Sequence, residues 1–198
     1  MYRKMHPFFC VLCRMYRYYL LHKPFGVLSQ FTTPVEGKKG LGSLFNFPKD
    51  VYPVGRLDED SEGLLLLTND PRLNAQLLGE GAEKTYWAQV EGSPSEADLE
   101  PLRRGITLRI NQKDHRTLPA QVVLLDPQPV VPERNPPIRF RASIPTTWIA
   151  LTIREGKNRQ VRRMTAAIGF PTLRLLRVRF GPYSLQQMRA GEVHEFEL

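Results

Sequence analysis

Cysteine is nearly absent from this chain. Cys10 and Cys13 are the two present in 198 residues, and histidine occurs four times. A single C-x-x-C without a second cysteine pair does not close a four-cysteine metal site, and no strand–helix context surrounds it as a redox motif requires. The pair reads as two reduced thiols. Long hydrophobic runs are missing as well: Leu64-Leu65-Leu66-Leu67 is far too short to span a membrane. The N-terminus is basic and apolar, but Pro7 and Arg14 interrupt it and no small-residue cleavage site follows. Neither phosphate-cradling glycine motif occurs, G-x-x-x-x-G-K-[ST] or the dinucleotide G-x-G-x-x-G. The expectation is a cytoplasmic protein without membrane, metal or cofactor.

Acids are the third shortage. Asp and Glu total 20 against 28 Lys and Arg, giving a net charge of +8 and a pI near 9.7. The deficit is local. From Arg134 to Phe180 the lone acid is Glu155, while Arg134, Arg139, Arg141, Arg154, Lys157, Arg159, Arg162, Arg163, Arg174, Arg177 and Arg179 are all basic. Such a stretch suits a polyanionic partner. Hydrophobic residues at 41% and charged residues at 24% are ordinary for a soluble globular protein, and the length suffices for one good core or two small linked lobes.

What is present centres on residues 55–70, GRLDEDSEGLLLLTND. A polar loop carries Asp58, Glu59 and Asp60 between Gly55 and Gly63. The four leucines follow as a short buried strand. Asn69-Asp70-Pro71 then starts a helix, with Asp70 able to cap and Pro71 suited to the first helical position. An acidic loop on the edge of a buried strand is a scaffold that can hold one carboxylate in a fixed place. Around it the composition predicts strands at 18–21, 84–91, 106–110, 119–125, 148–154 and 171–180. Helices are expected at 71–78, from the Ser95 cap to 103, at 159–168, and briefly at 41–47. Residues 111–117 read as a polar tip and 126–137 as a proline-rich connection.

The 55–70 string resembles the signature of the pseudouridine synthases, in the branch that modifies ribosomal RNA: G-R-L-D-x-[DN]-[ST]-x-G-L-[LI]-[LI]-[LF]-T-N-[DN]. In that family the aspartate after Arg-Leu is the catalytic nucleophile, which falls on Asp58. Four more stretches resemble family motifs. His22-Lys23-Pro24-Phe25-Gly26-Val27 is similar to N-K-P-x-G-V, with His22 in place of Asn; Lys23 reads as a partner of phosphate or an acid, or as a solvated lysine at a turn. Lys84-Thr85-Tyr86 resembles K-x-Y, whose tyrosine lies against the target base. Residues 155–164, EGKNRQVRRM, resemble E-G-[KR]-x-[RH]-Q-[VI]-[RK]-R-M, in which the basic residue after Gln-Val pairs with the catalytic aspartate; this falls on Arg162. Arg174-Leu175-Leu176-Arg177 resembles the last motif, whose leucine walls the base pocket, at Leu175 or in the next register at Leu176. Segments 134–139 and 143–148 resemble a feature of one subgroup, the large-subunit synthases of the E type. Those also lack the small N-terminal S4 domain, for which the 1–17 lead is too short.

The resemblance implies an α+β pseudouridine synthase fold over residues 18–198, after an irregular 1–17 lead. Its sheet is mixed and mainly antiparallel, flanked by helices and loops, with an RNA-binding cleft. It implies an enzyme that isomerises a uridine of 23S rRNA, free or in an assembling large subunit; a monomer is the default expectation. Asp58, Tyr86, Arg162 and Leu175 are the implied catalytic residues, and Lys23, Arg56, Arg159, Arg163 and Arg177 the implied RNA contacts. No cofactor is called for. Asp58 attacks C1′ or stabilises charge there while a proton leaves C2′, and either role needs the ionised carboxylate. The alternatives are the same chemistry on 16S rRNA or tRNA, and a non-catalytic rRNA-binding assembly protein.

Overall fold

The four-leucine run becomes the middle of the molecule. In the computed structural model, which describes residues 16–33, 35–79, 81–138 and 143–198, the elements run in chain order: β1 (Tyr18–Lys23), β2 (Val27–Leu28), β3 (Lys39–Gly40), a 3-10 turn (Leu41–Ser43), β4 (Tyr52–Pro53), β5 (Glu62–Thr68), α1 (Pro71–Leu78), β6 (Lys84–Glu91), α2 (Glu96–Arg104), β7 (Thr107–Ile110), β8 (Lys113–Arg116), β9 (Gln121–Leu124), β10 (Thr146–Ile153), α3 (Gln160–Ala167), β11 (Thr172–Phe180), β12 (Tyr183–Ser184) and β13 (Val193–Phe196). Cys10, Cys13, residues 1–15 of the lead, Arg139 and Arg141 lie outside the described residues.

The main sheet has the order β13-β1-β5-β11-β6-β10-β9, with β4 on β5 and β12 on β11. Within it β5 and β11 pair in parallel, and the remaining pairs are antiparallel. This is the mixed, mainly antiparallel α+β architecture that the resemblance implied. Strand β5 reads as continuous leucine rather than alternation because both of its faces are covered. Leu65 and Leu67 face a core shared with Leu99 and Leu102 of α2 and with Val161 and Met164 of α3. Leu64 and Leu66 face a second core with Leu73 and Leu77 of α1 and with Phe180.

Gly63 is where β5 meets β11. A Cβ there would stand 2.4 Å from the Arg177 carbonyl oxygen and 2.6 Å from its nitrogen, at a φ of +103°. Both obstacles are backbone of a central strand, so neither yields. Gly63→Ala should cost about 2–3 kcal/mol of stability, read from urea midpoints; a loss below about 0.5 kcal/mol would contradict the close approach.

The helix ends follow their sequence signals. Asp70 accepts a hydrogen bond from the Arg72 backbone, and Ser95 and Asp98 form a reciprocal capping box. Two expectations are corrected. Residues 41–47 hold only the 3-10 turn, because Phe45 and Phe47 turn away to pack with Phe31 and Tyr19. Residues 111–117 are not a loose tip: Asn111 and Gln112 take positive φ of 50° and 64°, the two-residue turn that closes a hairpin, and β8 folds back on β7. Among the described residues no helix is long and apolar enough to cross a membrane.

Candidate active site

The loop before β5 is fixed on both sides of Asp58. Ser29 Oγ donates to the Leu57 carbonyl at 2.7 Å and accepts from the Leu57 N–H at 3.0 Å. The Gly26 N–H donates to the Glu59 carbonyl at 2.8 Å, and the Ser61 N–H to the Asp58 carbonyl at 3.0 Å. Arg162 donates to the Asp60 carbonyl at 2.7 Å. The Asp58 backbone is therefore held, while its side chain stays 37% exposed; among the described residues the cation in ion-pair reach of it is the Arg159 guanidinium, at 3.6 Å.

The arginines are arranged differently from the expectation. Arg162 does not form the closest pair with Asp58; it binds the Asp60 and Thr172 carbonyls and lies 3.5 Å from the Asp60 carboxylate. Arg159 takes the position on Asp58 and makes a two-pronged pair with Asp60, at 2.9 and 2.7 Å. The physical reason is the start of α3. Arg159 caps it in the left-handed conformation, φ 50°, outside the helix, and its side chain returns over the loop. Cations at a helix start oppose the helix dipole, and here Asp60 relieves them. Burial alone would raise the Asp60 pKa, but the Arg159 hydrogen bond and the charges of Arg162 and Arg159 outweigh it and hold the carboxyl below its usual range.

Asp58 opens onto a cleft of about 810 Å³, also lined by Arg56, Tyr86, Arg159, Leu175 and Arg177. The structure thus brings six of the expected residues together. Tyr86 and Leu175 are buried in its wall. Arg163 lies off the lining and ties α3 to the hairpin, donating to the Asn158 and Arg109 carbonyls.

Two of the expected RNA contacts are buried side chains. Lys23 is fully buried; its ammonium donates to the carbonyls of Pro24 at 2.9 Å and Val27 at 2.7 Å, with Glu59 at 3.5 Å. It fastens the 23–27 turn beside the Asp58 loop. Arg177 is also buried, donating from Nε to the Leu64 carbonyl at 2.8 Å with its guanidinium on the Phe180 ring. Neither side chain is placed on the open rim, where a phosphate backbone would run.

Burial pushes the Lys23 ammonium down to about 8 from an ordinary 10.5, against the pull of Glu62, Asp60, Glu59 and Asp58. Between those values the unfolded chain keeps a proton that the folded protein has lost. The penalty for burying the charge is complete below pH 8 and fades as pH rises. Wild type should gain on the order of 2 kcal/mol over Lys23→Met between pH 8 and 10.5 in urea melts; a constant difference would contradict it.

Sequence reasoning missed three groups. Glu62 and Arg174 form a buried two-pronged pair, 2.8 Å at each bond, and Arg174 also donates to the Pro132 carbonyl. With Arg134 stacked 4.0 Å over the Phe25 ring, that bond docks the proline-rich connection against the 23–27 turn. Glu155 accepts from the Leu118 N–H, Gln160 and His115. Burial would raise its pKa, yet those bonds hold it down. As the lone acid of the basic stretch, it carried a signal. Lys84 lines the cleft floor beside Tyr86.

A family model described as RNA pseudouridylate synthase matches residues 17–167. The chain belongs to the pseudouridine synthase family. It is accordingly an isomerase, a pseudouridine synthase. Its similarity to the ribosomal large subunit pseudouridine synthase E of Vibrio vulnificus is 57% identity over 182 residues, covering 90% of this chain and 74% of that protein. The ribosomal large subunit pseudouridine synthase B of Bacillus subtilis is 39% identical, covering 90% and 67%. A crystal structure of a pseudouridylate synthase superposes with a TM-score of 0.74 at 26% identity, over 92% of this synthase and 71% of the other chain.

Proposed function

We propose that this pseudouridine synthase isomerises a uridine of large-subunit (23S) ribosomal RNA, with Asp58 as nucleophile and the base flipped into the cleft. The carrying observation is the state of Asp58. Its backbone is fastened on both sides, whereas among the described residues its carboxylate has no partner closer than a guanidinium at 3.6 Å. The other acid lining the cleft, Glu155, is occupied by three donors. Asp60 is occupied by Arg159.

The reaction breaks N1–C1′ and joins C5 to C1′; the C5 proton is lost and N1 gains one, so the product is an isomer. Cleavage builds positive charge on the ribose, which an ionised Asp58 answers by bonding to C1′ or by stabilising it during loss of a C2′ proton. The Arg159 guanidinium, 3.6 Å away, orients Asp58. Tyr86 and Leu175 wall the base and exclude water. Uridine must leave its stack to reach them. The cleft volume lies within the range of about 300–1,000 Å³ usual for a small ligand. Exposed cations such as Arg56 and Lys157 suit the RNA backbone, which makes binding salt-dependent.

The large-subunit target rests on the relatives. The test is tritium release from 5-³H-uridine-labelled, unmodified 23S rRNA, as naked RNA and in precursor particles, against 16S rRNA and tRNA. Release from 23S alone is expected. Release from 16S or tRNA instead overturns the target.

A further inference from the structure

Two buried cations line the cleft with no acid acting on them among the described residues. Lys84 is 9% exposed and Arg177 is 2% exposed. They flank one ring: the Lys84 ammonium lies 5.3 Å and the Arg177 guanidinium 4.6 Å from the Phe180 centroid. Lys84 donates to the Ala82 carbonyl at 3.2 Å, one bond for a group with three donors. One terminal nitrogen of Arg177 is buried with no hydrogen-bond partner. Among the described residues no carboxylate acts on either group. Burial lowers the Lys84 pKa and Arg177 lowers it further; burial lowers that of Arg177, opposed by Tyr86. The neighbouring Glu83 is committed to Arg154 at 2.9 Å.

Two like charges buried side by side without a counter-ion are costly, and a scaffold holds them against repulsion only by its packing. A negative charge arriving from the cleft would repay that cost. The depth of the pair indicates which charge. Arg56 and Lys157, exposed at the cleft, suit phosphates. Lys84 and Arg177 lie instead on the same wall as Tyr86, and Arg177 is the register partner of Tyr86 across β11 and β6.

We infer that Lys84 is a further catalytic residue: its ammonium, backed by Arg177, stabilises the negative charge of the uracil ring released when N1–C1′ breaks. The inference rests on the reading that the cleft takes a flipped uridine. The bonding pair stays on N1 and spreads to O2 and O4. After the ring turns, the same π system forms the C5–C1′ bond, C5 loses its proton and N1 takes one up. Lys84 gives up no proton in this scheme. It is a preorganised charge facing the one that develops.

The test compares Lys84→Met, Lys84→Arg and wild type in single-turnover loss of the N1-linked nucleoside from an RNA bearing uridine or 5-fluorouridine at the target position, followed by nucleoside chromatography; 5-fluorouridine has no C5 proton to lose, so the step read on both substrates is cleavage of N1–C1′. Fluorine withdraws electrons and makes the departing ring a weaker base. Lys84→Met should slow uridine about 10²-fold, with RNA affinity changed less than about threefold because the contact matters in the transition state. The loss should be about tenfold smaller on 5-fluorouridine, and Lys84→Arg should recover about tenfold on uridine. If Lys84→Met fails to fold, judged by its melting curve, Lys84→Gln enters the same comparison. Equal losses on the two substrates mark a structural role and overturn the inference. Weakened RNA binding with a shallower salt dependence marks a phosphate site and also overturns it. Turnover by wild type with no effect of the variant overturns this inference alone, whereas silence of wild type on every target overturns the uridine reading and this with it.

Discussion

Asp58→Asn should abolish pseudouridine formation, lowering the single-turnover rate by roughly 10⁴-fold, the scale on which a catalytic carboxylate fails. The protein should stay folded. The side chain is partly exposed and its one ion pair spans 3.6 Å, so stability should change by less than about 0.5 kcal/mol. Asp60→Asn is the informative control, two residues away in the same loop. Asp60 holds Arg159 by two bonds and lies 3.5 Å from Arg162. Its loss loosens the group that orients Asp58 and should slow turnover about 10–100-fold. Single-turnover tritium release, with each variant confirmed free of deamidation by mass spectrometry, orders the two. The reverse order would move the nucleophile to Asp60.

Breaking the Glu62–Arg174 pair should give the largest stability loss. Both side chains are buried, and both bonds measure 2.8 Å. Arg174→Met leaves Glu62 charged or protonated in the interior without its partner, at a cost of about 3–5 kcal/mol. The double replacement Glu62→Gln with Arg174→Met removes the orphaned charge and should recover part of that loss, which a double-mutant cycle in urea measures. Arg174 also fastens Pro132, so Arg174→Met should speed proteolysis of residues 126–138. A loss below about 1 kcal/mol would mean that the pair behaves as a surface ion pair.

The outline of this fold is written in short-range patterns. Asp70-Pro71 starts α1, the Ser95–Asp98 box starts α2, and the leucine run is buried on both faces. The loop that carries Asp58 is legible because loop, strand and helix start form one contiguous string. Lys23 and Arg177 are not legible as buried cations, because charge in a sequence carries no depth. Arg177 reaches the Leu64 carbonyl 113 residues away, through a strand pairing that no local pattern encodes. The exchange of Arg162 for Arg159 on Asp58 has a similar origin. The motif resemblance puts Arg162 on Asp58, and it carries no sign that Arg159 turns left-handed at the cap of α3, with its guanidinium 3.6 Å from Asp58. The hairpin at 111–112 hides because Asn-Gln adopts a turn that Asn-Gly would have advertised.

The most direct test of the account is a structure of the enzyme bound to an RNA carrying 5-fluorouridine at its target, read as the distance from each loop carboxylate to C1′ of that nucleotide. The account predicts the nucleotide out of its stack, its base against Tyr86 and Leu175, and an Asp58 oxygen within about 3.5 Å of C1′ while Asp60 stays on Arg159. A nucleotide still stacked, or an Asp60 oxygen nearer to C1′ than Asp58, would contradict it.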